Sequence, residues 1–149
     1  MKDKNVMPTT HLLIAIVIMV ALHLLFPVVR IIPTLWNLLG IIPLALGVVI
    51  NLIADKAFHE ANTTVKPFKE STTLITTGVF QVSRNPMYLG FVSILIGIGV
   101  LMGSLTPYVI ILAFAIFMDR MYIRVEERMI AGKFGAEWEE YKRSTRKWL

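Results

Sequence analysis

Pro86-Met-Tyr-Leu-Gly90-Phe-Val-Ser-Ile-Leu95-Ile-Gly-Ile-Gly-Val100-Leu-Met-Gly-Ser-Leu105-Thr-Pro-Tyr-Val-Ile110-Ile-Leu-Ala-Phe-Ala115-Ile-Phe-Met118 carries no charge and is broken once, in its middle. The break, Met102-Gly103-Ser104-Leu105-Thr106-Pro107, gathers the residues that stop one helix and start the next. It predicts a helical hairpin with arms over about 86–102 and 107–122. Each uncharged arm is only about 15 residues, roughly 22 Å at 1.5 Å per residue, against a hydrocarbon core about 30 Å thick. The arms therefore continue into the flanking polar segments or stop short of the far surface.

Upstream lie two more apolar runs. Residues 12–29 are interrupted only by His23 and end near Pro27 and Arg30, and residues 35–54 begin with Trp36, whose amphipathic ring suits the headgroup level. Lys2 and Lys4 mimic the start of a signal peptide, but the run after them is long and lacks a small-x-small cleavage site, so it reads as a retained helix. With 56% hydrophobic residues the 149-residue chain is more apolar than a soluble domain, and its mean hydropathy is +0.68. The expectation is a single all-α integral membrane domain over 1–149, with about four transmembrane helices, a polar loop over 55–85 and amphipathic tail helices over 123–143. No linker, repeat or low-complexity tract divides it.

With no cysteine the chain offers no disulfide or thiolate site, and His11, His23 and His59 are too scattered to form a paired ligand motif, so no metal is expected. His23, in mid-membrane, reads as an interhelical hydrogen-bond former. The net charge of +5 is concentrated beside apolar segments. Anionic lipid headgroups are thus the expected partner, and nucleic acid is not. Lys56, Lys66, Lys69 and Arg84 in the central loop and the basic tail after Met118 contrast with the lone Arg30 after the first helix and the uncharged hairpin tip. Four crossings then put the N-terminus, central loop and C-terminus in the cytoplasm. On that topology Asn62-Thr63-Thr64, a glycosylation sequon, stays unmodified. Gly40, Gly47, Asn51 and Ala54 form a small-residue stripe, and Gly90, Ser93 and Gly97 form another that could meet it in close helix packing.

Polar residues gather where the hairpin opens. Pro86 restricts Asn85 and suits a first helical turn, so Asn85 is expected to cap the arm, beside backbone N–H groups able to bind an anion. Arg84 could grip a carboxylate or phosphate through paired donors, and Tyr88 could stack or donate its hydroxyl. The same residues also serve as interfacial anchors at many membrane helix starts, and both readings stay open. On the tail helix Arg120, Arg124 and Arg128 share one ridge and Tyr122, Glu126 and Ile130 another. Glu127 is turned about 100° from Glu126, so one glutamate can face the site while the other pairs with Arg124 or Arg128. Gly135 reads as a helix stop, and Trp138 and Tyr141 as interfacial anchors.

Leu74-Ile75-Thr76-Thr77-Gly78-Val79-Phe80 followed by Arg84-Asn85-Pro86-Met87-Tyr88, then Glu126-Glu127 and Phe134-Gly135, resembles the ordered motifs of the isoprenylcysteine carboxyl methyltransferase and phospholipid methyltransferase family. The resemblance covers roughly half the chain, and is to small prokaryotic-type members of a bacterial or archaeal inner membrane. It implies S-adenosylmethionine as cofactor. Thr73, Leu74, Ile75 and Phe80 would line the adenosyl pocket, Asn85, Pro86, Met87 and Tyr88 hold the methionine portion, and Glu126 contact the cofactor from the tail. Arg84 would stand nearest the acceptor, and Glu127 is a second catalytic candidate. Phe80 replaces a frequent tyrosine, and Tyr122 stands where prenylcysteine enzymes carry an arginine, which weighs against a prenylcysteine carboxylate.

The implied reaction is methyl transfer to a lipophilic acceptor entering from the bilayer. A carboxylate needs orientation by Arg84; an amine must lose a proton, with Glu126 or Glu127 as base. Two other classes stay open: a reductase related to membrane sterol reductases, which the Lys133-to-Tyr141 segment also resembles, and a non-catalytic membrane protein.

Overall fold

Proline and glycine set the helix boundaries. The computed structural model describes residues 6–26 and 28–149, so Lys2, Lys4 and Pro27, which entered the reading of the first helix, lie outside the described residues. Helix α1 (Pro8–Leu25) starts and stops about four residues earlier than hydropathy suggested. Pro8 occupies the first helical turn, where its missing N–H is not needed. After α1 the backbone is held by the hairpin tip instead of its own helix: the N–H groups of Ile31 and Ile32 donate to the Gly103 carbonyl, and Leu105 N–H donates to the Val29 carbonyl.

A short 3₁₀ turn, Trp36–Gly40, leads into α2 (Ile41–Glu60). This helix runs past 54, the expected end. Lys56 and Glu60, and His59 and Asp55, pair at i,i+4, which lets charged residues prolong an apolar helix into water. The polar connection therefore covers 61–85 instead of 55–85. Helix α3 (Pro86–Met102) ends where expected, at Gly103, whose φ of 71° turns the chain, and α4 (Thr106–Met118) completes the hairpin. A π-turn, Asp119–Ile123, joins α4 to α5 (Arg124–Phe134). Gly135, at φ 51°, then redirects the chain into α6 (Ala136–Ser144).

The two small-residue stripes meet. A Cβ on Gly40 or Gly97 would overlap the opposite backbone at the other glycine, and Gly47 and Gly90 stand in the same relation, so α2 and α3 approach at backbone distance. Ser93 Oγ adds a bond to the Pro43 carbonyl at 2.7 Å. In lipid such packing and hydrogen bonding, not the expulsion of water, hold helices together. The main core joins α1, α3 and α4 through Met19, Phe91, Leu95, Phe114 and Met118. Outward-facing Leu13, Leu24, Leu52 and Val109 are largely exposed.

Among the described residues the protein is helical, with one isolated bridge, Arg30 to Ser104. Pro8–Leu25 and Trp36–Glu60 are each long and apolar enough to cross a bilayer, and α3 is a shorter apolar helix. At one pole His23 Nδ1 meets Ser104 Oγ at 2.7 Å, and Asn37 Nδ2 donates to the Leu101 carbonyl at 3.0 Å. The other pole gathers the start of α1, the ends of α2 and α4, and the start of α3. Over it α6 folds back, burying Trp138 and Tyr141 against Ala54 and Phe80. These two aromatics are thus core residues and not the interfacial anchors expected from sequence, because Gly135 reverses the chain onto the bundle.

Candidate active site

Residues 83–86 form a sharp turn into α3, and two glutamates from α5 close over it. Asn85 does not cap the helix with its side chain. Its Nδ2 instead donates to Glu127 Oε1 at 3.2 Å and to the Lys147 carbonyl at 3.1 Å, and its own N–H is taken by Ser83 Oγ. These bonds turn the amide NH₂ toward Glu127 and the tail, and Oδ1 accepts no N–H of the first helical turn.

Arg84 Nε donates to the same Glu127 oxygen at 3.0 Å, with both side chains largely buried. Its Nη1 donates to the Thr145 carbonyl at 2.5 Å and more weakly to that of Lys142, and the guanidinium lies over the Trp138 ring at 5.6 Å. The expectation that Glu126 or Glu127 would pair with Arg124 or Arg128 is therefore corrected. Glu127 pairs with Arg84, whereas Arg124 Nε goes to Asp119 at 2.8 Å and Arg128 Nε to a carbonyl of its own helix. Arg84 is first of all a tie between the start of α3, α5 and the tail.

Glu126 accepts the Tyr88 hydroxyl at 2.9 Å. Burial pushes its carboxyl up to about 7, an effect that the Tyr88 hydrogen bond partly offsets. Near neutral pH this group is poised between its two protonation states. The Tyr141 hydroxyl donates to the Phe80 carbonyl at 2.5 Å and is pushed up to about 12, chiefly by burial, with Arg84 opposing and Glu127 reinforcing.

These groups wall a cavity of about 730 Å³, within the range of small-molecule sites. All eleven site residues expected from sequence line it: Thr73, Leu74, Ile75 and Phe80 from the connection, Arg84, Asn85, Pro86, Met87 and Tyr88 at the start of α3, and Glu126 and Glu127 from α5. Sequence reasoning missed Met7, Pro8 and Thr9 at the start of α1, Phe58 on α2, and Phe68. Phe68 adopts φ 60°, rare for a bulky residue, and stacks on Tyr122 with ring centroids 5.3 Å apart. A lone phenylalanine in a polar loop was the available signal. Among the described residues no cluster of His, Asp and Glu could hold a metal ion.

A family model described as phospholipid methyltransferase matches residues 35–137. The chain is 40% identical over 113 residues to a Saccharomyces cerevisiae protein named Protein-S-isoprenylcysteine O-methyltransferase, an alignment covering 72% of this chain and 46% of that protein. The chain thus spans about half the length of this curated relative. No solved structure matches.

Proposed function

The chain belongs to the phospholipid methyltransferase family, and from that premise we propose that it transfers a methyl group from S-adenosylmethionine to a lipophilic acceptor at the membrane surface. One observation carries this reading. Residues from three separated segments, 73–80, 84–88 and 126–127, line a single cavity at one pole of a helical membrane bundle.

The wall suits the cofactor's chemistry. S-adenosylmethionine supplies a methyl group already activated on a sulfonium, so the chain's task is alignment and exclusion of water. Phe80, Leu74 and Ile75 offer an apolar slot for an aromatic base, and Glu126 offers a buried carboxylate for a cationic group. Asn85, with both known bonds of its Nδ2 made inside the protein, offers its Oδ1 as an acceptor. Glu127 accepts from both Arg84 and Asn85 and holds the wall together. Of the two glutamates, Glu126 is the better proton acceptor if the methylated group is an amine; if it is a carboxylate, no base is required. Arg84, expected from sequence to orient the acceptor, acts in this account mainly through Glu127 and the tail.

The acceptor would approach from the bilayer, with all four apolar helices crossing it and both termini and the cavity on the cytoplasmic side. The test is a titration of the detergent-purified protein with S-adenosylmethionine. Glu126→Ala and Tyr88→Ala should each weaken binding by roughly tenfold or more, the cost of a lost charge-assisted contact. Unchanged affinity in both folded variants would remove the cavity from the account.

A further inference from the structure

Past α6 the backbone becomes extended at Thr145, and the last residues cross the turn that opens α3. Arg84 N–H donates to the Arg146 carbonyl at 3.0 Å. The Lys147 carbonyl receives both Ser83 Oγ and Asn85 Nδ2, each at 3.1 Å, and the Thr145 carbonyl receives Arg84 Nη1. Lys147 then turns its own side chain back to Asp119 Oδ1 at 2.9 Å, while Asp119 Oδ2 holds Arg124 at 2.8 Å. Trp148 packs against the main core. Residues 145–148 themselves lie beyond residue 137, where the family match ends.

We propose that residues 145–148 are a positioning strap for the cavity wall, clasped to the bundle by the Lys147–Asp119 ion pair. The chemistry of Asn85 carries the proposal furthest. Its amide faces a carbonyl of the strap and the carboxylate of Glu127, and both can only accept, so the NH₂ end must point to them. The strap thereby fixes Oδ1 as the end left for a ligand. It also supplies carbonyl acceptors to Arg84, which orients Glu127. The π-turn belongs to the same device, since its i→i+5 winding brings Asp119 and Arg124 onto one face and lets one carboxylate serve Arg124 and Lys147 together. An isolated exposed ion pair would contribute little, but this one is partly buried, with side chains 30% and 17% exposed, and anchors a segment holding four further hydrogen bonds.

The strap's role in cofactor binding rests on the proposed function, so the experiment has two arms. Amide exchange over residues 83–85 is measured without cofactor, and S-adenosylhomocysteine affinity is measured by calorimetry, on the full chain in detergent. Lys147→Met and Asp119→Asn should each speed exchange at the Arg84 amide several-fold and weaken S-adenosylhomocysteine binding roughly three- to tenfold. Lys147→Arg should preserve both, and the double variant should be no worse than Asp119→Asn alone, because that change already removes the partner of Lys147 along with that of Arg124. Unchanged exchange in Lys147→Met overturns the clasp, and faster exchange with unchanged affinity overturns the positioning role. Should the wild type bind no S-adenosylhomocysteine while Lys147→Met still opens the Arg84 amide, the clasp stands and the cofactor reading falls.

Discussion

In the proposed function Glu126 is the residue on which the chemistry turns. Its carboxyl, held up near 7 by burial, retains a proton that an unfolded glutamate would release. Taken alone it adds stability at low pH, which is lost as pH rises from the ordinary glutamate range through about 7. A cationic ligand prefers the ionised form. S-adenosylmethionine affinity should therefore rise with pH by up to about tenfold per unit below 7 and level off above it. Calorimetry in buffers of different ionisation enthalpy would show the accompanying proton release. Glu126→Gln should flatten that dependence and weaken binding. In Tyr88→Phe the carboxyl loses a donor that favours its charged form, so the midpoint should move to higher pH. For Arg84→Lys the planar fork onto Glu127 and the tail carbonyls is lost; melting temperature and cofactor affinity should fall together. Lower turnover at unchanged affinity would instead restore Arg84 to the acceptor.

Among the elements, the α2–α3 contact is set by glycine. Gly90→Ala would drive a methyl group into the Asn51 amide and the Gly47 backbone, and overpacking of this kind costs about 1–3 kcal/mol. Gly132 on α5 has open space around its Cβ position, so Gly132→Ala should stabilise by roughly 0.5–1 kcal/mol through helix propensity. Opposite shifts in thermal midpoint for these two glycines would establish that contact, not composition, decides. The stripe, the hairpin break at Gly103 and the start of α3 at Pro86 were legible because each rests on local punctuation or helical spacing. The destination of Glu127 was not legible. Its partner Arg84 lies 43 positions away, and helical periodicity gives a residue's face but not what folds against it. The burial of Trp138 and Tyr141 was hidden for the same reason: it depends on the reversal at Gly135 and on Phe80. The π-turn at Asp119–Ile123 left no punctuation to read.

For the molecule as a whole, polarity is the organising feature. One pole is tied by His23, Asn37 and Ser104; the other holds the cavity, the connection over 61–85, α5, α6 and the strap. If the helices cross the bilayer four times, single cysteines at Lys66 and Lys142 should both react with an impermeant maleimide from the cytoplasmic side only. Labelling of either from the opposite face would contradict that topology. Whether this pole moves a methyl group from S-adenosylmethionine to a membrane acceptor can be measured by incubating the purified protein with methyl-labelled S-adenosylmethionine and a membrane extract, and counting label in the organic phase. Lipid-soluble label should depend on the protein and collapse in Glu126→Gln, being base-labile for an ester and base-stable for an amine. Equal incorporation by wild type and Glu126→Gln, or none above a protein-free control from a cofactor-binding wild type, would contradict the proposed function.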